Sequence, residues 1–143
     1  MTRTTARIRM AAAMAMALLC GSVGAAAAAT LDIELNKIED AGGQCSASFV
    51  MQNHMGATLD QLRIDLYVFD KGGVIMRRVY LDTGPMRDGK TTVASFALVD
   101  QPCDKIGRLL VNDIPTCKAP DGSALDCLGG LTLSSKAPVD LTK

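Results

Sequence analysis

Once a short leader is set aside, this sequence predicts an all-β antiparallel sandwich of about seven strands. Three observations carry that prediction. Apolar and polar residues alternate in run after run, which is the two-residue period of strands half-buried against a core. Turn formers, mainly Gly, Pro and Asp, recur roughly every ten to fifteen positions. Beyond the leader no long helical period interrupts this rhythm.

The first 29 of 143 residues read as a cleavable signal peptide. Arg3, Arg7 and Arg9 form the basic segment, AAAMAMALL the apolar one and VGAAAAA the small-residue exit, so cleavage is expected near Thr30. Arg7-Ile8-Arg9 is not a twin-arginine pair, which points to the general secretory route and a periplasmic protein. Leu19 directly before Cys20 argues against a lipid anchor. No later run approaches the ~20 apolar residues of a transmembrane helix.

Removing the leader leaves 114 residues with twelve basic and fifteen acidic side chains, a net charge of −3. A mildly acidic chain lacks the basic footprint that phosphates demand, so no nucleic acid partner is expected. One disulfide-bonded domain is predicted over 30–135, with a loose tail over 136–143. The four cysteines are Cys45, Cys103, Cys117 and Cys127. An even count in an exported chain, without any C-x-x-C, favours two disulfides over a redox or zinc motif. The pairing expected is Cys45 with Cys103, across the sandwich, and Cys117 with Cys127, closing the PDG-containing loop.

Along the chain, TLDIEL sets Leu31, Ile33 and Leu35 on one face, and AGGQ turns into CSASFVMQN with Cys45, Ala47, Phe49 and Met51 in phase. A break at NHMGA precedes the hairpin LRIDLYVFDKGGVIMRRVYL, closed by the turn TGPMRDGK. TTVASFAL follows, then a corner at Gln101-Pro102 and IGRLLVND, with a bulge expected at Gly107 and an end at Pro115. LGGLTLSS is the last expected strand.

A short loop at Lys71-Gly72 would pair hairpin positions that sum to 143, placing Leu62, Ile64, Leu66 and Val68 opposite Leu81, Val79, Arg77 and Ile75. The outward face then pairs Phe69 with Val74, Tyr67 with Met76, Asp65 with Arg78 and Arg63 with Tyr80. A shift by one residue would bury charge. Arg77 falls on the apolar face, where an unpaired guanidinium is untenable, so a sheet-edge position or a bulge at Met76-Arg77 must release it to water.

The same residues resemble the FxLYD-type domains of bacterial exported proteins. The likeness lies in FVMQN, a strand ending in Asn; in LRIDLYVFDKGGVI, a Leu-rich strand with an aromatic-Asp-x-Gly turn; and in GPMRDGKTTVASFAL. It spans about half of the mature chain. The second half, PCDKIGRLLVNDIPTC, is similar to small exported proteins of alphaproteobacterial type that are named for their signal sequence. These resemblances imply an immunoglobulin-like sandwich in the periplasm and bring no catalytic residues.

The chemistry visible in the sequence agrees with a non-catalytic role. His54 is the only histidine, and it sits in a polar turn without a nucleophile motif. The Asp-Gly pairs at Asp88 and Asp121 lack the ligand ladder of a calcium loop and read as turns. No cofactor is expected. The expected function is a binding or accessory module with another periplasmic or envelope protein as partner. Its docking face is placed on Arg63, Tyr67, Phe69, Met76, Arg78 and Tyr80, residue types enriched at protein interfaces. The alternative is copper handling by Met51, His54 and Met55, with Met76 and Met86 as further thioethers, ligands suited to Cu(I). Met51 argues against it, because it shares the core phase of Phe49.

Overall fold

The computed structural model describes residues 28–143. The leader assigned to residues 1–29 therefore lies outside the described residues, apart from Ala28 and Ala29. Eight strands follow in order: β1 (Thr30–Ala41), β2 (Gln44–His54), β3 (Gln61–Asp70), β4 (Ile75–Thr83), β5 (Thr91–Val99), β6 (Ile106–Lys118), β7 (Leu131–Ser135) and β8 (Asp140–Thr142). A 3-10 turn at Cys103–Lys105 leads into β6. Among the described residues, no helix is long and apolar enough to cross a membrane.

The strands form two four-stranded sheets, β5-β2-β1-β7 and β4-β3-β6-β8. The two-residue period fixes how they meet. Leu31, Ile33 and Leu35 of β1, and Cys45, Ala47, Phe49 and Met51 of β2, are buried and face Leu62, Ile64, Leu66 and Val68 of β3 across a common core. The all-β sandwich is thus as expected, with eight strands for the expected seven or so, while the wholly antiparallel arrangement is corrected in two places. β7 runs parallel to β1, and β8 runs parallel to β6.

The second of these strands lies in the tail expected to be loose. Val139 and Leu141 bury there, and β8 pairs Leu141 with Leu109. Only three residues long, β8 offers too little alternation to be read from sequence. β6 likewise continues past Pro115 to Lys118, with an irregularity in its pairing with β3 between Asp113 and Thr116 that accommodates the proline. Gly107 is the bulged residue of β6. A Cβ at that position would lie 2.8 Å from the Asp70 carbonyl carbon, so the close backbone approach requires glycine.

Cys45 bonds to Cys103, joining β2 to the 3-10 turn, and Cys117 bonds to Cys127, closing the loop after β6. Both pairings match the sequence reading. The first closes 58 residues of sequence and in the chain-entropy model contributes roughly 4 kcal/mol.

Candidate functional site

The β3–β4 hairpin carries the candidate face, and its register differs from the expectation. Ile64 pairs with Leu81, Leu66 with Val79 and Val68 with Arg77, a slip of two residues that preserves which side chains share a face. The cause is local. Asp70 Oδ1 accepts hydrogen bonds from Gly72 N and Val74 N, each 2.8 Å, and Asp70 N donates to Val74 O, which stabilises a longer loop than Lys71-Gly72 alone. A bulge then inserts Met76 between Ile75 and Arg77.

That bulge also decides two side chains. β4 is an edge strand, and Arg77 reaches solvent beside Asp100, with Nη1 to Oδ2 at 3.3 Å. Both routes of escape expected for Arg77 are therefore used. Met76, by contrast, packs against the core cluster and borders a cleft with Gln101, Asp104 and Lys105, so it leaves the face on which the sequence placed it.

The remaining residues form a ladder on the outer side of β4, β3 and β6. At one end the Arg108 guanidinium lies 4.3 Å from the centre of the Phe69 ring and covers it, leaving Phe69 8% exposed. Next, Arg78 sits between two rings, 5.4 Å from Tyr67 and 5.0 Å from Tyr80. Arg63 follows at 5.6 Å from Tyr80 and makes a two-point contact with Asp82, at 2.6 and 2.8 Å. Arg78–Asp65 and Arg63–Tyr80 both meet as the sequence suggested. They do so diagonally, because Asp65 lies directly opposite Tyr80 and Arg63 opposite Asp82.

Asp65 anchors the ladder. Alternation assigns it to a solvated face, yet it is only 1% exposed, because the face is roofed by its own long side chains. Arg78 donates to both of its oxygens, at 2.7 and 2.9 Å, and Asn112 Nδ2 donates at 2.9 Å. The hydrogen bonds from Arg78 hold the Asp65 carboxyl below its ordinary range, against the opposing effect of burial. Asp65 in turn pushes the Arg78 guanidinium still higher, so the pair stays ionised. Asp82 is lowered by Arg63 in the same way. Arg108, Asn112 and Asp82 were not singled out from sequence. Arg108 and Asn112 share a phase in IGRLLVND, and that was the available signal.

The residues of the copper alternative stand in different surroundings. Met51 and Met86 are wholly buried in the core, while His54 is exposed beside Gln52 and Asp32, 3.4 and 3.9 Å away. Met55 packs at the core margin. Among the described residues, no group of three or more His, Cys, Asp or Glu side chains could hold a metal ion.

No protein-family model matches the chain, and no curated protein matches it. Among solved structures, IrmA from Escherichia coli superposes with a TM-score of 0.56 at 17% identity, covering 74% of this chain and 92% of IrmA. At that identity the likeness shows the fold alone.

Proposed function

We propose that this chain is an exported, periplasmic binding or accessory module without catalytic chemistry, related to the FxLYD-type immunoglobulin-like domains. It docks another envelope protein on the outer face of β4, β3 and β6. The observation that carries the reading is the ladder. Arg63, Tyr67, Arg78 and Tyr80 stand on one face, each held by a ring or a carboxylate, and Tyr80 keeps 46% of its surface exposed. Tyr and Arg dominate the energetics of protein interfaces. Side chains already fixed before contact lose little conformational entropy on binding, which favours a pre-organised surface over a merely sticky one. The two disulfides suit an oxidising compartment.

The test is a double substitution, Arg63→Ser with Tyr80→Ser, in the chain expressed with its leader. Both positions are solvent-exposed, so the melting temperature should stay within about 3 °C of the parent. Crosslinking in cells should then lose the envelope partner that the parent captures. A folded double variant that captures the same partner would refute the reading.

A further inference from the structure

The four sheet edges are protected unequally, and the difference points to a second interaction surface. An exposed strand edge presents unpaired backbone donors and acceptors, and proteins commonly blunt it with charge, bulges or brevity. β4 carries Arg77 and Arg78 in succession and a bulge at Met76. β7 has five residues and β8 three. β5 is different, because TTVASFALV runs nine residues without a charge or a proline. Its only irregularity is an extra residue at Leu98, near its C-terminal end, which leaves Thr91–Ala97 regular. Val93 on its outward side is 65% exposed.

We infer that β5 pairs antiparallel with β5 of a second copy of this chain, joining the two β5-β2-β1-β7 sheets into one eight-stranded sheet. An antiparallel edge pairing is isologous, so one register satisfies both copies at once. The charges flanking β5 select that register. With Ser95 on the two-fold axis, Val93 lies opposite Ala97 of the other copy, and both are exposed on the same outward side. The same register brings Lys90 of each copy alongside Asp100 of the other. The bulge at Leu98 offsets that pair by about one residue, within the reach of a lysine side chain. Lys90 has no ion-pair partner among the described residues, and Asp100 contacts Arg77 and Gln44 while remaining exposed. Two opposite-sign contacts related by symmetry are the charge complementarity that a second copy supplies. This surface is separate from the ladder, which lies on the other sheet.

Sedimentation of the purified, oxidised mature chain over a range of concentrations tests the inference. The expected result is a reversible monomer–dimer equilibrium that weakens with salt, since the flanking pairs are exposed. Ser95→Lys, which sets two ammonium groups against each other on the axis and gives up only an exposed hydroxyl contact with Ser48, should give monomer at every concentration, with a melting temperature close to that of the parent at dilutions where the parent is monomeric. Lys90→Glu should weaken the dimer about tenfold, because it replaces two attractive contacts by two repulsive ones. Combining it with Asp100→Lys should restore most of the loss. Ser95→Cys should crosslink spontaneously to a covalent dimer, because residues opposite one another on an antiparallel pair meet the Cα spacing of a disulfide, and Ala97→Cys should not. A parent that is monomeric throughout, or a dimer indifferent to Ser95→Lys, overturns the inference. A dimer weakened by Lys90→Glu but not restored when Asp100→Lys is added overturns the register, and with it the proposed interface.

Discussion

Among the described residues, each sheet has one polar residue buried as a whole, and the two are used in opposite ways. Asn53, in β2, is fully buried and spends its amide on backbone. Its Nδ2 donates to Ala57 O and Met86 O at 2.9 and 2.8 Å, and its Oδ1 accepts from Met55 N at 3.0 Å. Its own backbone also pairs with Lys90 O and Gly89 N. Asp65, in β3, spends its carboxylate on the side chains of Arg78 and Asn112. The first arrangement clamps two turns to the end of a strand and so builds the fold. The second fixes long side chains above a sheet and so builds a surface. A buried polar group that holds backbone belongs to the architecture, whereas one that holds exposed side chains fixes the shape of a face.

The largest effect expected from breaking this contrast is at Asn53. Asn53→Ala leaves the Ala57 carbonyl and the Met55 N–H without their partner and takes from Met86 O one of its two donors, the other being Leu59 N, and should cost about 3 kcal/mol, measured by urea unfolding. Leu at the same position should be no better, because the orphaned groups are backbone and stay in place.

Asp65→Ala should come next, at about 2 kcal/mol, since it strands Asn112 and frees Arg78 from its carboxylate. Its signature lies in its partners. In a double-mutant cycle Asp65 should couple to Arg78 and to Asn112, while Asn53 should show no coupling to either. Coupling between Asn53 and the ladder would dissolve the distinction between the two anchors.

Acid sharpens the comparison further. The folded Asp65 carboxyl lies below its ordinary value of 3.8, so its contribution to stability is complete above that pH and is lost as pH falls through the depressed folded value. The stability advantage of the parent over Asp65→Asn should therefore hold at neutral pH and shrink below pH 3.8. The deficit of Asn53→Ala, which involves no titrating group at that site, should be constant over the same range. The smallest thermal effect is expected for Tyr80→Ser, with a melting temperature within about 2 °C of the parent, because nearly half of that ring is already in water.

How much of this was legible in the sequence follows the same division. Strand phase was readable wherever five or more residues alternate, which is why the buried faces of β1, β2 and β3 emerge from it, and the bulge at Gly107 was readable from a glycine inside a strand. The disulfide pairing followed from chain spacing and compartment. The hairpin register was off by two residues because a side-chain acceptor, Asp70, governs the loop and a bulge at Met76 absorbs the slack, and neither leaves a periodic trace. Parity survived, so the face was found while its exact neighbours were not. Asp65 was read as the partner of Arg78, but its burial was not legible, because alternation reports which way a side chain leaves the sheet, not what then folds over it. The cross-strand contribution of Arg108 and Asn112 comes from a strand distant in sequence, which a local reading of the hairpin does not include.

The central claim is that the ladder face, rather than the outer face of the opposite sheet, meets the partner. Its most direct test places a photo-crosslinking amino acid at position 80, or at position 52 on the exposed side of β2, in the full chain in living cells. The account predicts a discrete adduct from position 80, with a partner whose mass differs from that of the chain itself. It predicts none from position 52, and loss of the adduct when Arg63→Ser is added. The same adduct from both positions, or from position 52 alone, would contradict it.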